Sequence, residues 1–451
     1  MVLAGEAKKP AGCRNRGSQA RKLHELFAKF VVQRLFAVPY LRNIAKGPHY
    51  NADGMLLSRD GFKLFAYLSI SALLSFTVWT MILVPEYLSH QGWAAQKIGW
   101  AMGLFFVVAL FSQISSGHLA DRIGNVPTAL IGTGIALGGC FFYWVALRWP
   151  DAIFAARALH GAGAAMVGSG ALFHLVRSVP QNLKGRVMGY FGLPGFVMMG
   201  VGPLIAEWLR HSWGMAGVFT LVLVNFVAVG VLLRCLPRPL APKGTRREPF
   251  SRAFRESFPN LRPVIFFAFC FGFGLSAWNS FLAPTVSWIG AGAISAFGIG
   301  YGSGALLSRL GLSQKLDRGK NRLIAISSLT LYGVGLALIP HAGHAWHLGM
   351  IGLGCGVSHG LYYPALSSFA AARFHPLHTG NAMSLYMSAF SLGMFLGSPV
   401  WGYIGNQWGY LWIFTVAGLF VFCSTLIFLI SRSWPRARSL MWPYRGVLSQ
   451  K

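Results

Sequence analysis

Arg157 and His160 stand three residues apart in Arg157-Ala-Leu-His160-Gly161-Ala-Gly163, inside a long apolar run. On a helix that spacing puts a permanent cation and a group that titrates near neutral pH on one face. Such a pair suits the binding of an anion or the movement of a proton. An arginine inside a membrane costs about 2.5–3.5 kcal/mol on insertion scales unless it is paired or wet, so a function is the first reading. The plain alternative is an outer-leaflet arginine that snorkels to water. Carboxylates for the same work are scarce. The chain has 11 Asp and Glu residues, and only Glu86 and Glu207 fall in or at the ends of apolar segments. These four residues are the coupling candidates, although Glu86, between Pro85 and Tyr87, also fits a boundary residue. Asn225, Trp278, Asn279, His359 and Tyr362-Tyr363 fall near mid-depth of apolar segments, and Gln113 lies in the inner half of the second. Singly, each buried amide or hydroxyl serves equally well as a bond between helices. As a group they suit contact with a neutral or anionic, partly apolar small molecule.

No catalytic constellation accompanies these residues, and an enzyme is not expected. The six cysteines, Cys13, Cys140, Cys235, Cys270, Cys355 and Cys423, are scattered without a Cys-x-x-Cys pair. The 13 histidines include no His-Glu-x-x-His. Neither a disulfide framework, a metal site nor any other cofactor is indicated. The glycines of 161–170 lie within an apolar run and read as a packing face. No Gly-x-x-x-x-Gly-Lys-Ser/Thr occurs, which removes ATP-driven transport by this chain alone.

The elements that must position these residues are membrane spans. Of 451 residues 54% are hydrophobic and 11% charged, against about 25% charged in soluble domains. A span needs roughly 20 apolar residues. Twelve such segments are expected near 64–88, 97–118, 126–147, 152–174, 186–208, 215–236, 263–288, 291–312, 322–341, 346–371, 380–404 and 409–431. The breakers Trp149-Pro150-Asp151, Arg210-His211-Ser212 and Pro340-His341-Ala342-Gly343-His344 separate three of the pairs. The fold class is therefore all-α, a membrane protein of twelve transmembrane helices. Its expected parts are a basic extension (1–62), a six-helix bundle (63–236), a basic linker (237–262), a second six-helix bundle (263–432) and a tail (433–451).

The net charge of +28 raises the possibility of nucleic acid until the charges are placed. With the N-terminus cytoplasmic, thirty-five of the 39 Lys and Arg residues fall on the cytoplasmic side. Five of these, from Arg309 to Arg322, are grouped with the connection between segments 8 and 9. The remaining four are Lys97, Arg148, Arg157 and Arg210. The positive-inside rule then puts both termini in the cytoplasm, and no nucleic-acid partner is expected. Within the extension, Leu23, Leu26, Phe27, Phe30, Val31, Leu35 and Val38 recur at helical spacing among basic residues. That fits an amphipathic helix on an anionic leaflet. Met55, just before the first apolar segment, leaves an extra translated leader equally open, and an organellar transit peptide is a third reading.

Gly117-His-Leu-Ala-Asp121-Arg122-Ile-Gly124 follows the second apolar segment. It resembles the Gly-x-x-x-Asp-Arg-x-Gly loop between helices 2 and 3 of the major facilitator superfamily, with Asn125 where a basic residue is usual. Arg157-x-x-x-Gly161-x-Gly163 is similar to a second motif of that family, and Gly202-Pro203 to part of its antiporter motif. There Met198 and Ala206-Glu207 replace expected glycines. The chain also repeats itself: Gly185, Trp213-Gly214 and Phe219 recur as Gly380, Trp408-Gly409 and Phe414, 195 positions later. The resemblance covers about residues 62–432. It implies two six-helix pseudo-repeats, a substrate site near the midplane between them, and rocker-switch alternating access. It implies that Gly117, Asp121, Arg122 and Gly124 form a gating motif, with Asp121 held at the start of segment 11 near Gly380-Asn381. It links Arg157 to proton coupling. The expected function is secondary transport of a small organic solute, with proton-coupled efflux first. Uptake or facilitated passage of an organic anion and lipid translocation are alternatives, and a membrane sensor or scaffold is a reading of another class. A monomer is expected, among membrane lipids, in a bacterial inner or plasma membrane.

Overall fold

The computed structural model describes residues 59–179, 184–236, 250–311, 321–372 and 379–430. The amphipathic helix expected at 23–38 and the tail expected at 433–451 lie outside the described residues. Residues 1–66 and 67–451 form separate compact units, and the packing described below is that of the second.

The helices are α1 (Arg59–Thr80), α2 (Val84–His90), α3 (Ala95–Ile123), α4 (Asn125–Val145), α5 (Ala152–Arg177) and α6 (Lys184–Cys235), followed by α7 (Phe250–Ile289), α8 (Ile294–Gly311), α9 (Asn321–Leu338), α10 (Ala345–Ala372), α11 (Thr379–Trp408) and α12 (Tyr410–Ile430). The first apolar segment is α1 running into α2 through a 3-10 turn at Met81–Leu83. Pro85 has no N–H for the Met81 carbonyl, and the Val84 N–H bonds it instead, which tightens the helix locally. The 52-residue α6 holds two of the expected segments and breaks at Gly214, with φ 65° and ψ −166°. The break falls just past Arg210-His211-Ser212, which is helical. Gly409, its repeat partner, separates α11 from α12 with φ 92°. The repeated Trp-Gly is thus one device used twice, in a left-handed conformation that only glycine adopts cheaply. The uncharged turn between α7 and α8 depends on Gly290 and Gly292 in the same way. The second half of the expected linker is helical, because α7 already starts at Phe250.

Eight helices among the described residues are long and apolar enough to cross a membrane. The twelve-segment expectation requires two things more. Val187–Cys235, counted once among the eight, must divide at Gly214, and α8, α10 and α11 must be added. Glycine and polar residues lower the hydropathy of those three without interrupting the helix. Large apolar side chains such as Phe111, Phe141 and Leu307 face outward, as an acyl-chain solvent allows. Exposed Trp149, Trp208, Trp213, Trp288, Trp346 and Trp408 gather at the end of the bundle that carries Glu86, forming an interfacial aromatic belt.

Glycine sets how closely the helices approach. A Cβ on Gly352 of α10 would overlap the Phe297 carbonyl of α8, and one on Gly356 the Tyr301 carbonyl. Backbones this close gain dispersion contacts that a lipid tail does not supply. The glycines of 161–170 are used likewise: Gly163 lies against Gly132 and Ala136 of α4, and Gly161 against the Phe105 carbonyl of α3.

Candidate functional site

Arg157 and His160 share the face of α5 that points into the N-terminal half, as their spacing requires. Arg157 is only 3% exposed. Its guanidinium lies over the Phe105 ring, 4.7 Å from the centroid, and its Nε has no hydrogen-bond partner. This burial is incompatible with a side chain that snorkels to water. His160 is fully buried. Its Nδ1 is 3.0 Å from the Tyr143 hydroxyl and its Nε2 is 3.4 Å from the Thr77 hydroxyl, with Phe105 and Phe226 edge-on to the ring. Tyr143 also lies within electrostatic and hydrogen-bonding reach of Arg157. Arginine, tyrosine, histidine and threonine thus form one chain of polar groups through an otherwise aromatic core.

A second cluster fills the C-terminal half. Trp278 is 1% exposed, stacked on Trp79 at 5.3 Å with an interplanar angle of 2°. It also packs on Phe297 and Tyr301. The Tyr301 hydroxyl is 2.8 Å from His359 Nδ1. His359 packs on Phe271, which packs on Tyr362; the Tyr362 hydroxyl donates to the Phe267 carbonyl at 2.8 Å. Three of the expected substrate-contact residues therefore share one cluster. The other three do not join it. Asn225 is buried and donates to the Leu221 carbonyl of its own helix at 2.9 Å. Asn279 is buried beside Trp278 in sequence, and Gln113 is exposed on α3.

The two carboxylates do different work. Glu86 is 4% exposed, and its Oε1 pairs with Arg210 Nη1 at 2.8 Å. Glu207, one turn before Arg210, reaches across to the other half of the chain. Its two oxygens accept the backbone N–H groups of Ile294 (2.6 Å) and Ser295 (3.3 Å) at the start of α8. An anion on the exposed N–H groups of a helix start is favourable. Backbone contacts extend this junction. Gly298 and Gly302 of α8 lie against the Met199 and Phe196 carbonyls of α6, and Gly99 and Gly103 of α3 against the Ser398 and Phe395 carbonyls of α11. The two halves are therefore in contact at the Glu86 end.

At the opposite end, Asp121 and Arg122 occupy the last turn of α3 and not a loop. Gly124 (φ 95°) alone separates α3 from α4, and Gly117 has open space around it. Asp121 Oδ1 accepts from Arg177 Nη2 at 3.2 Å, and Arg177 Nη1 is 3.4 Å from Asn125 Oδ1. The expected contact, with the start of segment 11 near Gly380-Asn381, rests on residues whose surroundings are not described. His174, in the last turn of α5, is 1% exposed and hydrogen-bonded to Tyr67.

A model of the Major Facilitator Superfamily matches residues 66–380 and 283–440. The chain belongs to the Major Facilitator Superfamily. An uncharacterized MFS-type transporter of Burkholderia mallei is 22% identical over 377 residues, covering 81% of this chain and 88% of that protein. Multidrug resistance protein MdtH of Photorhabdus laumondii is 26% identical over 359 residues, covering 74% and 82%. The crystal structure of nucleoside transporter NupG superimposes with a TM-score of 0.63 at 15% identity, over 81% of this chain and 98% of that one. The chain is thus a multi-pass integral membrane protein and an MFS transporter.

One half-buried cation of this MFS chain escapes a reading by charge count. Arg309 belongs to α8, third from its end, and not to the connection that follows. Its guanidinium lies 5.5 Å from the Phe196 centroid of α6 and 5.5 Å from the Tyr363 centroid of α10. The one signal available was its place inside the apolar segment 291–312.

Proposed function

We propose that this MFS chain exports a small organic molecule from the cytoplasm of a bacterium by alternating access, in exchange for protons. The reading includes twelve crossings, two six-helix halves related by repeat, and both termini in the cytoplasm. The observation that carries it is the junction at the Glu86 end. There the halves meet through backbone contacts and one carboxylate, an interface that can part without breaking either bundle. On this reading the Glu86 end is extracellular and the described state faces the cytoplasm. Export draws support from the likeness to MdtH, whose name states multidrug resistance. The absence of a mid-depth carboxylate among the described residues weighs against organic cations and favours neutral or anionic cargo.

The coupling candidates take separate roles. Arg157, His160 and Tyr143 form the buried relay, and Glu207 forms a latch between α6 and the start of α8. Glu207→Gln is expected to weaken the latch, since an amide accepts through one oxygen only. Its transport should change by roughly 3–10-fold, the scale of one charge-assisted hydrogen bond. A flux assay in proteoliposomes checks this, and an unchanged rate removes the latch. Asp121→Asn is expected to lower turnover several-fold, about 1 kcal/mol for a half-exposed pair, with insertion intact. Initial rates normalised to protein in the membrane read it directly.

The reading as a whole is tested with purified protein in liposomes, an imposed pH gradient and a panel of neutral and anionic solutes, followed through internal pH. Solute-dependent proton release from the acidic side supports exchange, and flux without proton movement overturns the coupling. A sensor or scaffold acting through the basic extension would instead lose its activity when residues 1–54 are deleted.

A further inference from the structure

Arg309 is a cation without a counter-ion. Among the described residues no carboxylate lies within ion-pairing distance of it. The two carboxylates of the apolar segments, Glu86 and Glu207, lie at the other end of the bundle and are engaged by Arg210 and by the start of α8. A partly buried arginine left in this condition has five N–H donors to satisfy. The rings of Phe196 and Tyr363 lie within cation–π distance of it, a contact that does not itself satisfy N–H donors. Tyr386 of α11 stands on the same side: it packs on Tyr363 at 5.5 Å and interacts electrostatically with Arg309. Its hydroxyl is buried, in a residue 1% exposed, and has no hydrogen-bond partner. One turn before Phe196, α6 contributes an absence of side chain. Gly192 of α6 faces Arg309 Nη1, which a Cβ there would meet at 3.8 Å.

We propose that Arg309, Tyr386, Phe196 and Tyr363 form a binding site for an aromatic monocarboxylate, the carboxylate on Arg309 and Tyr386 and the ring packed beside the guanidinium against the aromatic side chains. The ligand class follows from the groups present. One guanidinium neutralises one charge, and its fork matches a planar carboxylate with two parallel bonds. The Tyr386 hydroxyl supplies a further donor to an oxygen otherwise buried without partners. Aromatic walls favour a flat apolar body over a sugar or a phosphate. The site takes residues from α6 in one half of the chain and from α8, α10 and α11 in the other. Relative movement of the halves would therefore take it apart, as a transported ligand requires. The proposal rests on the transport reading and names its cargo. A snorkelling arginine accounts for partial exposure, but not for two rings from opposite halves or for the orphan hydroxyl.

The test uses the full-length protein in nanodiscs, titrated calorimetrically with 2-naphthoate and with uncharged 2-naphthamide. Wild type is expected to bind naphthoate about tenfold or more tighter than the amide, the scale of hydrogen bonds to a charged group. Arg309→Gln should abolish that preference. Tyr386→Phe should weaken naphthoate several-fold without affecting the amide. Gly192→Leu should exclude both, and with Tyr386→Phe it carries the test if Arg309→Gln does not fold. Equal affinities for the two ligands, no naphthoate binding to wild type, or a preference retained without Arg309 would each overturn the site. Arginine-dependent binding with no naphthoate flux in liposomes would leave the site standing and overturn the transport reading.

Discussion

Gly99→Val is expected to leave a folded, inserted protein with a small fraction of wild-type transport. Gly99 of α3 lies against backbone atoms of Ser398 and Pro399 of α11, and a Cβ would overlap them. Backbone cannot swing aside as a long side chain does, so the helices must separate. Over-packing at such a contact costs about 1–3 kcal/mol. On the proposed cycle that cost falls on the state in which the Glu86 end is closed, where α3 and α11 touch at this level. The equilibrium between states should shift by roughly 10–100-fold toward opening at that end. A carrier held in one state does not cycle, so initial rates in proteoliposomes should fall by about the same factor. A cysteine at Ser398, fully buried in the closed state, should become reactive to a membrane-impermeant maleimide in the Gly99→Val background. Wild-type rates together with an unreactive cysteine would show that the contact is static packing.

Arg157→Ala carries the second large effect. The guanidinium is buried against Phe105 beside the Tyr143–His160 pair, and a cation kept at this depth is expensive unless it is used. Its removal should lower coupled flux by about tenfold or more, equivalent to at least 1.4 kcal/mol, and should flatten the dependence of rate on the imposed pH gradient. Arg157→Lys should restore part of the rate, since the charge returns without the planar fork. An unchanged rate and pH profile in Arg157→Ala would reduce the residue to a packing element.

Fold was legible because lipid imposes few solutions. Apolar length, the distribution of basic residues and the repeated Trp213-Gly214 and Trp408-Gly409 each mark a feature that local chemistry decides. The helix breaks at Gly214 and Gly409 sit at that repeat. The count of crossings was less legible, because the glycines that let α8 approach α10 also lower its hydropathy. Site geometry was legible only where partners are neighbours in sequence, as with Arg157 and His160. Glu207 bonds Ile294 across 87 positions, and nothing near Glu207 announces a helix start as its partner. Arg309 was assigned to a connection because charge near a segment end counts as topology, and its rings come from α6 and α10. Asp121 pairs with Arg177 of α5, a residue outside any motif, and its expected contact with the start of segment 11 lies outside the described residues.

The central claim is that the halves part at the Glu86 end. Spin labels on Gln91, between α2 and α3, and on Gln407, at the end of α11, place one exposed probe on each side of that junction. The native cysteines are replaced for the measurement. Pulsed electron–electron double resonance in nanodiscs should give two distances. The shorter should match the closed junction, and the longer should dominate in the Gly99→Val background and grow in Glu207→Gln. A single short distance in all three proteins would contradict the account.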